Sequence, residues 1–393
     1  MSRRPIDRSP ELKKLRDEGF DIEVVDGYLL MHDVPYVNGK REVKRGILMA
    51  ALDLTNDVAQ PPQDHQAKWA GDCPCNEDGT IMKGLGPTEA PMVISGHRVK
   101  WNFSCKLKPA DKYDDFHHKM SHYAVKISGP AQAIDPDARA QTFKPRQPDA
   151  EDSVFLYEDT ASSRADIVAI NEKLKPLRVG IVGLGGTGSY VLDFVAKTPA
   201  REIHLFDGDT FDQHNAFRAP GAASGEDLEQ RATKVTFHAR TYGKMRNGIV
   251  KHPHPMRPDS LHELEGLDFV FLCMEGRGKR PIAEKLEALG IPFVDVGMGI
   301  TLNGDRLRGQ IRTTTSTPEK HDHVYKNNRI AFTTTDEINE YDKNIQVVEL
   351  NALNAAIAVI KWKKLFGFYA DDAGEHFSVF VIAGNEMINE ENG

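Results

Sequence analysis

Three glycines, Gly183, Gly185 and Gly188, form a G-x-G-x-x-G pattern directly after an apolar run of residues. The run at 178–182 is rich in Val and Ile and predicts a buried strand, and residues 190–197 predict the helix that follows. The first N–H groups of a helix can bind an anion, and glycine lets the backbone approach that anion closely. The pattern, which also includes Gly186, therefore predicts a turn that binds phosphate.

Polar residues after this turn distinguish between two classes of protein that use it. In a nicotinamide dehydrogenase, an acidic residue at the end of the second strand binds the ribose hydroxyls, and Asp207 could have that role. A dehydrogenase has no use for Asn215, Arg218 and Lys234, which follow. Together with Asp207 and Asp209, these side chains favour a site for a triphosphate and its metal ion.

The order G-x-G-G-x-G-S, D-G-D, H-N-x-x-R and then a lysine in an amphipathic stretch resembles the ThiF/MoeB/ubiquitin-activating-enzyme family, from about residue 164 to the end of the chain. The resemblance implies that the glycines frame a nucleotide and that Asp207 holds its ribose. It also implies that Asn215, Arg218 and Lys234 hold the phosphates. Taken singly, the first two could belong to a solvated loop and Lys234 to a helix surface, but their common order favours the site.

Two carboxylates are candidates for the Mg²⁺ ligand that the resemblance implies. The family usually has an aspartate after the strand that corresponds to residues 268–274, where this chain has Glu275. Glutamate is one methylene longer but still offers a hard oxygen ligand. Asp295, at the end of the next predicted strand, is the alternative. In ThiF-like dimers an arginine reaches into the partner's nucleotide site, and Arg164 resembles it, although Arg164 could also be an exposed helix arginine.

The elements that must position these residues predict two domains. Residues 135–153 are polar, contain three prolines and predict a linker. We therefore expect a smaller α+β domain at 1–150 and a ThiF-like ATP-binding adenylation domain at 151–393. Strands and helices alternate in the second domain, which predicts a Rossmann-type α/β fold, with a mostly parallel sheet and helices on both faces. An antiparallel hairpin at 299–315 and a long apolar helix at 346–365 follow.

The N-terminal domain has strand-like runs at 22–25, 28–31, 92–94, 99–103 and 123–127 and a predicted helix at 41–51. Residues 64–79, 97–105 and 113–127 resemble an uncharacterised domain that precedes ThiF-like domains in bacterial gene clusters with ubiquitin-like proteins. The order of its elements is also similar to that of ubiquitin-conjugating enzymes, although the tripeptide that usually precedes their cysteine is absent.

Cysteines and histidines elsewhere in the sequence favour no metal site. Cys73, Cys75 and Cys105 with His65 could bind zinc, but a C-x-C pair is not the C-x-x-C spacing of structural zinc, which favours unliganded thiols. Cys273 is expected to be a small core residue. The grouped histidines are expected to be solvated; they lie at 252 and 254, at 321 and 323, and at 117, 118 and 122.

The composition is that of an ordinary globular protein, with 40% apolar and 27% charged residues. The net charge of −8 and the isoelectric point near 6.0 disfavour nucleic-acid binding. No apolar run approaches the ~20 residues of a membrane span, and the N-terminal residues lack an apolar signal-peptide segment. Four cysteines do not indicate a disulfide framework. We expect a cytoplasmic protein that binds neither nucleic acid nor membranes.

The resemblance implies a homodimer that uses ATP and Mg²⁺ to adenylate the C-terminal tail of a ubiquitin-like protein. A non-catalytic nucleotide-binding adaptor is one alternative, because Glu275 replaces the family's aspartate, and an NAD-dependent oxidoreductase is another. Residues 313–344 contain no cysteine, which excludes the crossover-loop thioester of many relatives. Three fates of the adenylate are ranked. Direct release to another protein ranks first, and a thioester on Cys73, Cys75 or Cys105 ranks second. An oxyester on a threonine of 313–317 or 333–335 ranks third.

Overall fold

The chain divides into two units, Met1–Asp149 and Ala150–Gly393, in the computed structural model. The structure describes residues 3–106, 112–145, 153–165, 167–276, 278–332 and 345–392.

Apolar residues at alternating positions build a six-stranded antiparallel sheet in the first unit, in the order β1-β2-β3-β6-β8-β7. Two short strands, β4 and β5, pair with each other. The strands are β1 (Ile22–Val25), β2 (Tyr28–Val37), β3 (Val43–Ala51), β4 (Leu54–Thr55), β5 (Val58–Ala59), β6 (Gln66–Ala70), β7 (Thr88–Ile94) and β8 (His97–Ser104). The helices are α1 (Arg3–Arg8), α2 (Pro10–Asp17) and α3 (Phe116–Ile134).

Helix α3 supplies one side of the core of this unit. It begins after Asp115, whose carboxylate accepts a hydrogen bond from His118 N at 2.7 Å. Its buried apolar residues recur at helical spacing and share one cluster with the sheet residues Trp69 and Phe103; they are Phe116, Met120, Tyr123 and Ile127. A helix packed on an antiparallel sheet is the α+β architecture that the sequence predicts.

Two predictions for the first unit are wrong. Residues 41–51 are not a helix but largely strand β3, paired between β2 and β6. Leu48 and Met49 are both fully buried, in different core clusters, and this packing overrides the helix propensity of Leu, Met and Ala. Residues 123–127 are not a strand but part of α3, because a short apolar run does not distinguish the two periodicities. The predicted linker also begins inside the unit, where Ala138 and Ala140 are buried.

An eight-stranded sheet forms the second unit, in the order β11-β10-β9-β12-β13-β14-β15-β16. The five strands from β11 to β13 pair in parallel, and β14, β15 and β16 extend the sheet in antiparallel pairings. The strands are β9 (Arg178–Val182), β10 (Glu202–Phe206), β11 (Ile249–His252), β12 (Phe269–Leu272), β13 (Phe293–Asn303), β14 (Arg306–Ser316), β15 (Glu375–Val381) and β16 (Glu386–Asn392).

Helices cover both faces of this sheet. Along β12, Phe269 and Phe271 belong to a cluster with α6 and α12, whereas Val270 and Leu272 belong to a cluster with α10. The helices are α4 (Thr160–Arg164), α5 (Val168–Asn171), α6 (Gly186–Ala196), α7 (Gln213–Ala216), α8 (Gly225–Glu229), α9 (Lys234–Tyr242), α10 (Lys279–Ala288), α11 (His323–Lys326) and α12 (Val348–Leu365). The predicted α/β fold class is confirmed, including the hairpin of β13 and β14 and the long helix α12.

Candidate functional site

A cavity of about 810 Å³ lies at the carboxyl ends of β9, β10 and β12. Ligands of open α/β sheets bind at this edge, because the loops that leave the strands there can carry polar groups. The cavity brings together eight of the residues predicted from the sequence, which are Gly183, Gly185, Gly186, Asp207, Asp209, Arg218, Lys234 and Glu275. Gly188, Asn215, Asp295 and Arg164 do not line it.

The glycine turn leads from β9 into α6 without side chains that would fill the cavity. Gly183 has a φ of +92°, which favours glycine. Gly185 precedes the helix, and a Cβ atom on it would meet no atom within 4 Å. Gly188 has a packing role instead, since a Cβ on it would lie 1.9 Å from the carbonyl oxygen of Gly183. The helix begins at Gly186, earlier than predicted, so its first N–H groups lie at the cavity.

Asp207 and Asp209 are tied both to the turn and to α9. Asp207 Oδ2 accepts a hydrogen bond from Leu184 N at 2.6 Å, and Oδ1 accepts one from Asp209 N at 2.8 Å. Lys234 Nζ lies 2.6 Å from Asp209 Oδ2 and 3.6 Å from Asp207 Oδ1. The side chain of Asp207 is 8% exposed and that of Asp209 is 75% exposed, so the second carboxylate can exchange Lys234 for another partner more easily.

Three side-chain N–H groups in and beside the cavity are buried and make no hydrogen bond to any described residue. They are Nε of Arg218, Nδ2 of Asn351 and Nδ2 of Asn215. Arg218 and Asn351 line the cavity, while Asn215 caps α7, where its Oδ1 accepts a hydrogen bond from Asp212 N at 2.9 Å. Buried donors without acceptors are costly, so a ligand rich in acceptor oxygens would satisfy them.

The two candidate metal ligands lie in different surroundings. Glu275 is exposed at the cavity, and its Oε1 accepts a hydrogen bond from Gln346 Nε2 at 2.7 Å. Asp295 is fully buried; its Oδ1 lies 2.5 Å from Lys279 Nζ and its Oδ2 lies 2.6 Å from Arg312. Asp295 would have to give up both cations to bind a metal, and breaking a buried ion pair is strongly unfavourable.

Sequence reasoning missed several polar residues of the cavity. Lys279 and Arg312 flank Asp295, and Gln346 contacts Glu275. Asn351 and Asn354 lie on the apolar helix α12, where Asn351 Oδ1 accepts from Thr187 Oγ1 at 2.8 Å. Two asparagines three residues apart, in a segment whose other residues from 350 to 360 are apolar, were the available signal. Nothing local in the sequence marks Lys279 or Arg312.

Arg164 ends helix α4 and is exposed, so its predicted role in a partner's site stays a prediction. The threonines at 313–317, which were the third-ranked acceptors, are buried. Thr313, Thr314 and Thr315 belong to β14 and are at most 2% exposed, which rules them out as accessible hydroxyls in this fold. Residues 333–335 lie outside the described residues.

His323 is also buried, and its Nε2 lies 2.9 Å from Thr315 O, so the expectation that this histidine is solvated is wrong.

The cysteines are free thiols in surroundings unsuited to reaction. Cys75 and Cys105 are buried, and burial raises the pKa of Cys73 to about 11. His65 contacts Ser104 Oγ at 2.9 Å. Within the described parts of the chain, these residues do not form a group that could hold a metal ion. Burial also raises the pKa of Cys273, which packs against the core at the cavity.

Comparison with known proteins gives two family matches. The ThiF family model matches residues 161–369, and the model of a domain of unknown function, DUF6791, matches residues 10–160. No curated protein matches the chain. None of the described helices is long and apolar enough to cross a membrane.

Several solved structures are similar to part of the chain. E. coli MccB with ATP has 17% identity and a TM-score of 0.47, over 60% of this chain and 72% of that chain. E. coli MccB with AMPCPP and MccA has 18% identity and a TM-score of 0.45 over the same shares. PaaA has 15% identity and a TM-score of 0.46, over 69% of this chain and 92% of that chain.

Proposed function

The chain belongs to the ThiF family, and from this premise we propose that it transfers AMP from Mg²⁺-ATP to the C-terminal carboxylate of a ubiquitin-like protein. The observation that carries the proposal is the convergence of the glycine turn, Asp207, Arg218, Lys234 and Glu275 on one cavity. A nicotinamide cofactor needs no metal ion and would give no role to Glu275. We further propose that the active unit is a homodimer in which Arg164 completes the partner's site.

The side chains at the cavity fit a nucleotide. The turn offers backbone N–H groups and open space for phosphate, and Asp207 lies at the end of the second strand, where ribose hydroxyls are bound in related folds. The buried donors of Arg218 and Asn351 would each gain an acceptor from phosphate oxygens. Lys234 would exchange the exposed carboxylate of Asp209 for phosphate.

Glu275 fits the magnesium ion better than Asp295 does. Its carboxylate is exposed at the cavity and accepts a hydrogen bond from Gln346, whereas the carboxylate of Asp295 is fully buried and held by two cations. Asp209 can offer a second hard oxygen once Lys234 turns to phosphate. When bound, Mg²⁺ would offset the negative charge of the triphosphate.

In the proposed reaction, an oxygen of the substrate carboxylate forms a bond to the α-phosphorus of ATP. The bond from that phosphorus to the bridging oxygen breaks, and pyrophosphate leaves with the electron pair. The chemistry needs no side-chain nucleophile, since positioning and charge neutralisation supply the catalysis. Arg218 and Lys234 are the cations that would stabilise the developing charge. The buried and weakly acidic thiols favour direct release of the adenylate to another protein.

ATP–pyrophosphate exchange tests this proposal. The purified chain is incubated with labelled pyrophosphate, ATP and candidate ubiquitin-like proteins, ideally those encoded beside its gene. We expect exchange that requires a free C-terminal carboxylate on the ubiquitin-like protein and disappears when that carboxylate is amidated. Exchange that is unaffected by amidation would reject the carboxylate as the acceptor, and failure to bind ATP at all would reject the nucleotide site.

A non-catalytic adaptor is the second candidate, and one contact favours it. The hydrogen bond from Gln346 to Glu275 engages the carboxylate that would bind Mg²⁺. An adaptor would bind ATP in equilibrium dialysis yet show no pyrophosphate exchange with any of the ubiquitin-like proteins. The same samples thus distinguish the two functions.

A further inference from the structure

Two histidines and a glutamate meet beside the cavity without belonging to the nucleotide site. His252 ends β11, His254 follows two residues later, and Glu263 lies on the 3₁₀ helix Pro258–Leu264. One ligand atom from each residue lies within 4.8 Å of the other two. This is the only such group of potential metal ligands among the residues that the structure describes. The sequence expectation that both histidines are solvated is therefore wrong for His252, whose side chain is 16% exposed.

Glu263 joins the two imidazoles. Its Oε1 lies 3.2 Å from His254 Nε2, and its Oε2 is in contact with His252 Nδ1. Oε2 is buried, and its contact with His252 does not meet the geometry of a hydrogen bond; no other described residue donates to it. A buried carboxylate oxygen in this state requires a positive partner.

The neighbouring contacts contain too few protons to satisfy Glu263 Oε2. Glu202 contacts His204 Nε2 at 3.1 Å, and His204 Nδ1 contacts His252 Nε2 at 3.2 Å. With the contact from His252 to Glu263, two imidazoles occupy three links between two carboxylates. Each neutral imidazole carries one N–H, so two protons must serve three links. If His204 donates to Glu202 and His252 donates to His204, the lone pair of His252 Nδ1 faces the Glu263 carboxylate.

A cation must fill that third link, and it can be a third proton or a metal ion. The rings of His204, Phe206 and His252 stack on one another, with those of His204 and Phe206 buried and the centroids of His252 and Phe206 4.1 Å apart. The link from His252 through His204 to Glu202 is also the kind of outer hydrogen bonding that orients a metal-binding imidazole.

We propose that His252 Nδ1, His254 Nε2 and the Glu263 carboxylate bind a divalent transition-metal ion of the zinc class. Two imidazoles and one carboxylate are a zinc ligand set that leaves a fourth position for water. The site goes beyond the adenylation chemistry, which needs only the hard oxygen ligands of magnesium. It would fix the segment between β11 and the 3₁₀ helix, of which Pro255 and Met256 line the nucleotide cavity.

Zinc affinity of the full chain tests the site without nucleotide or protein substrate. The chain is stripped with a chelator and titrated with Zn²⁺ against a chromophoric competitor, and Co²⁺ serves as a spectroscopic probe of imidazole and carboxylate ligation. We expect one ion per chain and a rise in melting temperature on binding. His254→Ala and Glu263→Gln should each weaken binding by roughly tenfold or more.

The controls separate lost ligands from lost structure. His254 is 41% exposed in a loop, so its replacement leaves the core intact. His262 lies next to Glu263 on the same 3₁₀ helix, is exposed and offers no ligand, so His262→Ala should bind zinc like the wild type. Equal zinc affinity in the wild type, His254→Ala and Glu263→Gln would overturn the site, as would the absence of stoichiometric binding by the wild type. Neither outcome depends on whether the chain adenylates a protein.

Discussion

Arg218→Ala should abolish most of the adenylation activity while leaving the fold unchanged. The Nε atom of Arg218 is buried without an acceptor, and a buried N–H in that state costs about 1–3 kcal/mol. Truncation therefore removes an unsatisfied group, and we expect little or no loss of stability. The same donor would be satisfied by the reacting phosphates, and removing one preorganised donor from a developing anion costs about 2.7–4 kcal/mol, or roughly 10²–10³ in rate.

The assay is ATP–pyrophosphate exchange at saturating ubiquitin-like protein, accompanied by thermal melting. Arg218→Lys keeps the charge but loses the planar guanidinium, so its exchange rate should lie between those of the wild type and Arg218→Ala. Arg201→Ala is the matched control, because Arg201 is 69% exposed and lies outside the cavity. If Arg218→Ala exchanges pyrophosphate at close to the wild-type rate, the reasoning from its unsatisfied donor is wrong.

Three further predictions concern assembly, a thiol and a histidine. Arg164→Ala and Lys234→Ala should each be inactive, but a mixture should recover roughly a quarter of the wild-type exchange, since half of the dimers would carry one intact site; no recovery after verified subunit exchange refutes the shared site. Because the pKa of Cys73 is raised to about 11, alkylation of this thiol in the native protein at pH 8 should be about a hundredfold slower than alkylation of an ordinary thiol. The rate, measured by mass spectrometry, should increase as the pH rises. The pKa of His238 is lowered to about 4, mainly by burial and to a smaller extent by the charge of Lys234. The stabilising contribution of the neutral imidazole is therefore complete above the ordinary pKa of 6.5 and is lost as the pH falls through 4. His238→Leu should thus lose less free energy of unfolding between pH 7 and pH 4, by up to about 3 kcal/mol, in denaturant titrations; equal losses would contradict the assignment.

Local patterns predicted the part of the site that follows parallel strands. Gly183 and Asp207 each come directly after a strand, and the carboxyl ends of parallel strands share one edge, so sequence position alone indicates that they meet. Lys279 and Arg312 come from α10 and β14, line the cavity and both pair with Asp295. That convergence depends on the tertiary arrangement of three elements, which no single segment records.

The same distinction explains errors in both units. Strand β3 has residues of good helix propensity, and only its pairing with β2 and β6 makes it a strand. The threonine-rich segment at 313–316 contains only polar residues, which favoured accessible hydroxyl groups, yet the hydroxyl of Thr313 donates to Asn354 Oδ1 at 3.2 Å and can be buried. Polar satisfaction of this kind is visible only in three dimensions.

The strand order of the second unit has a consequence for how the chain folds. On one side of β9 the strands β10 and β11 follow it in sequence, and on the other side β12 to β16 also follow one another. The pairing of β9 with β12, which matches Val179 with Phe269, joins segments separated by residues 183–268, the longest separation between paired strands of this sheet. Closing that long loop is the entropically expensive step, so we expect β9 and β12 to pair late. Until they do, an apolar edge of β9 is open to pairing with other chains, and newly made protein will be most prone to aggregate in that interval.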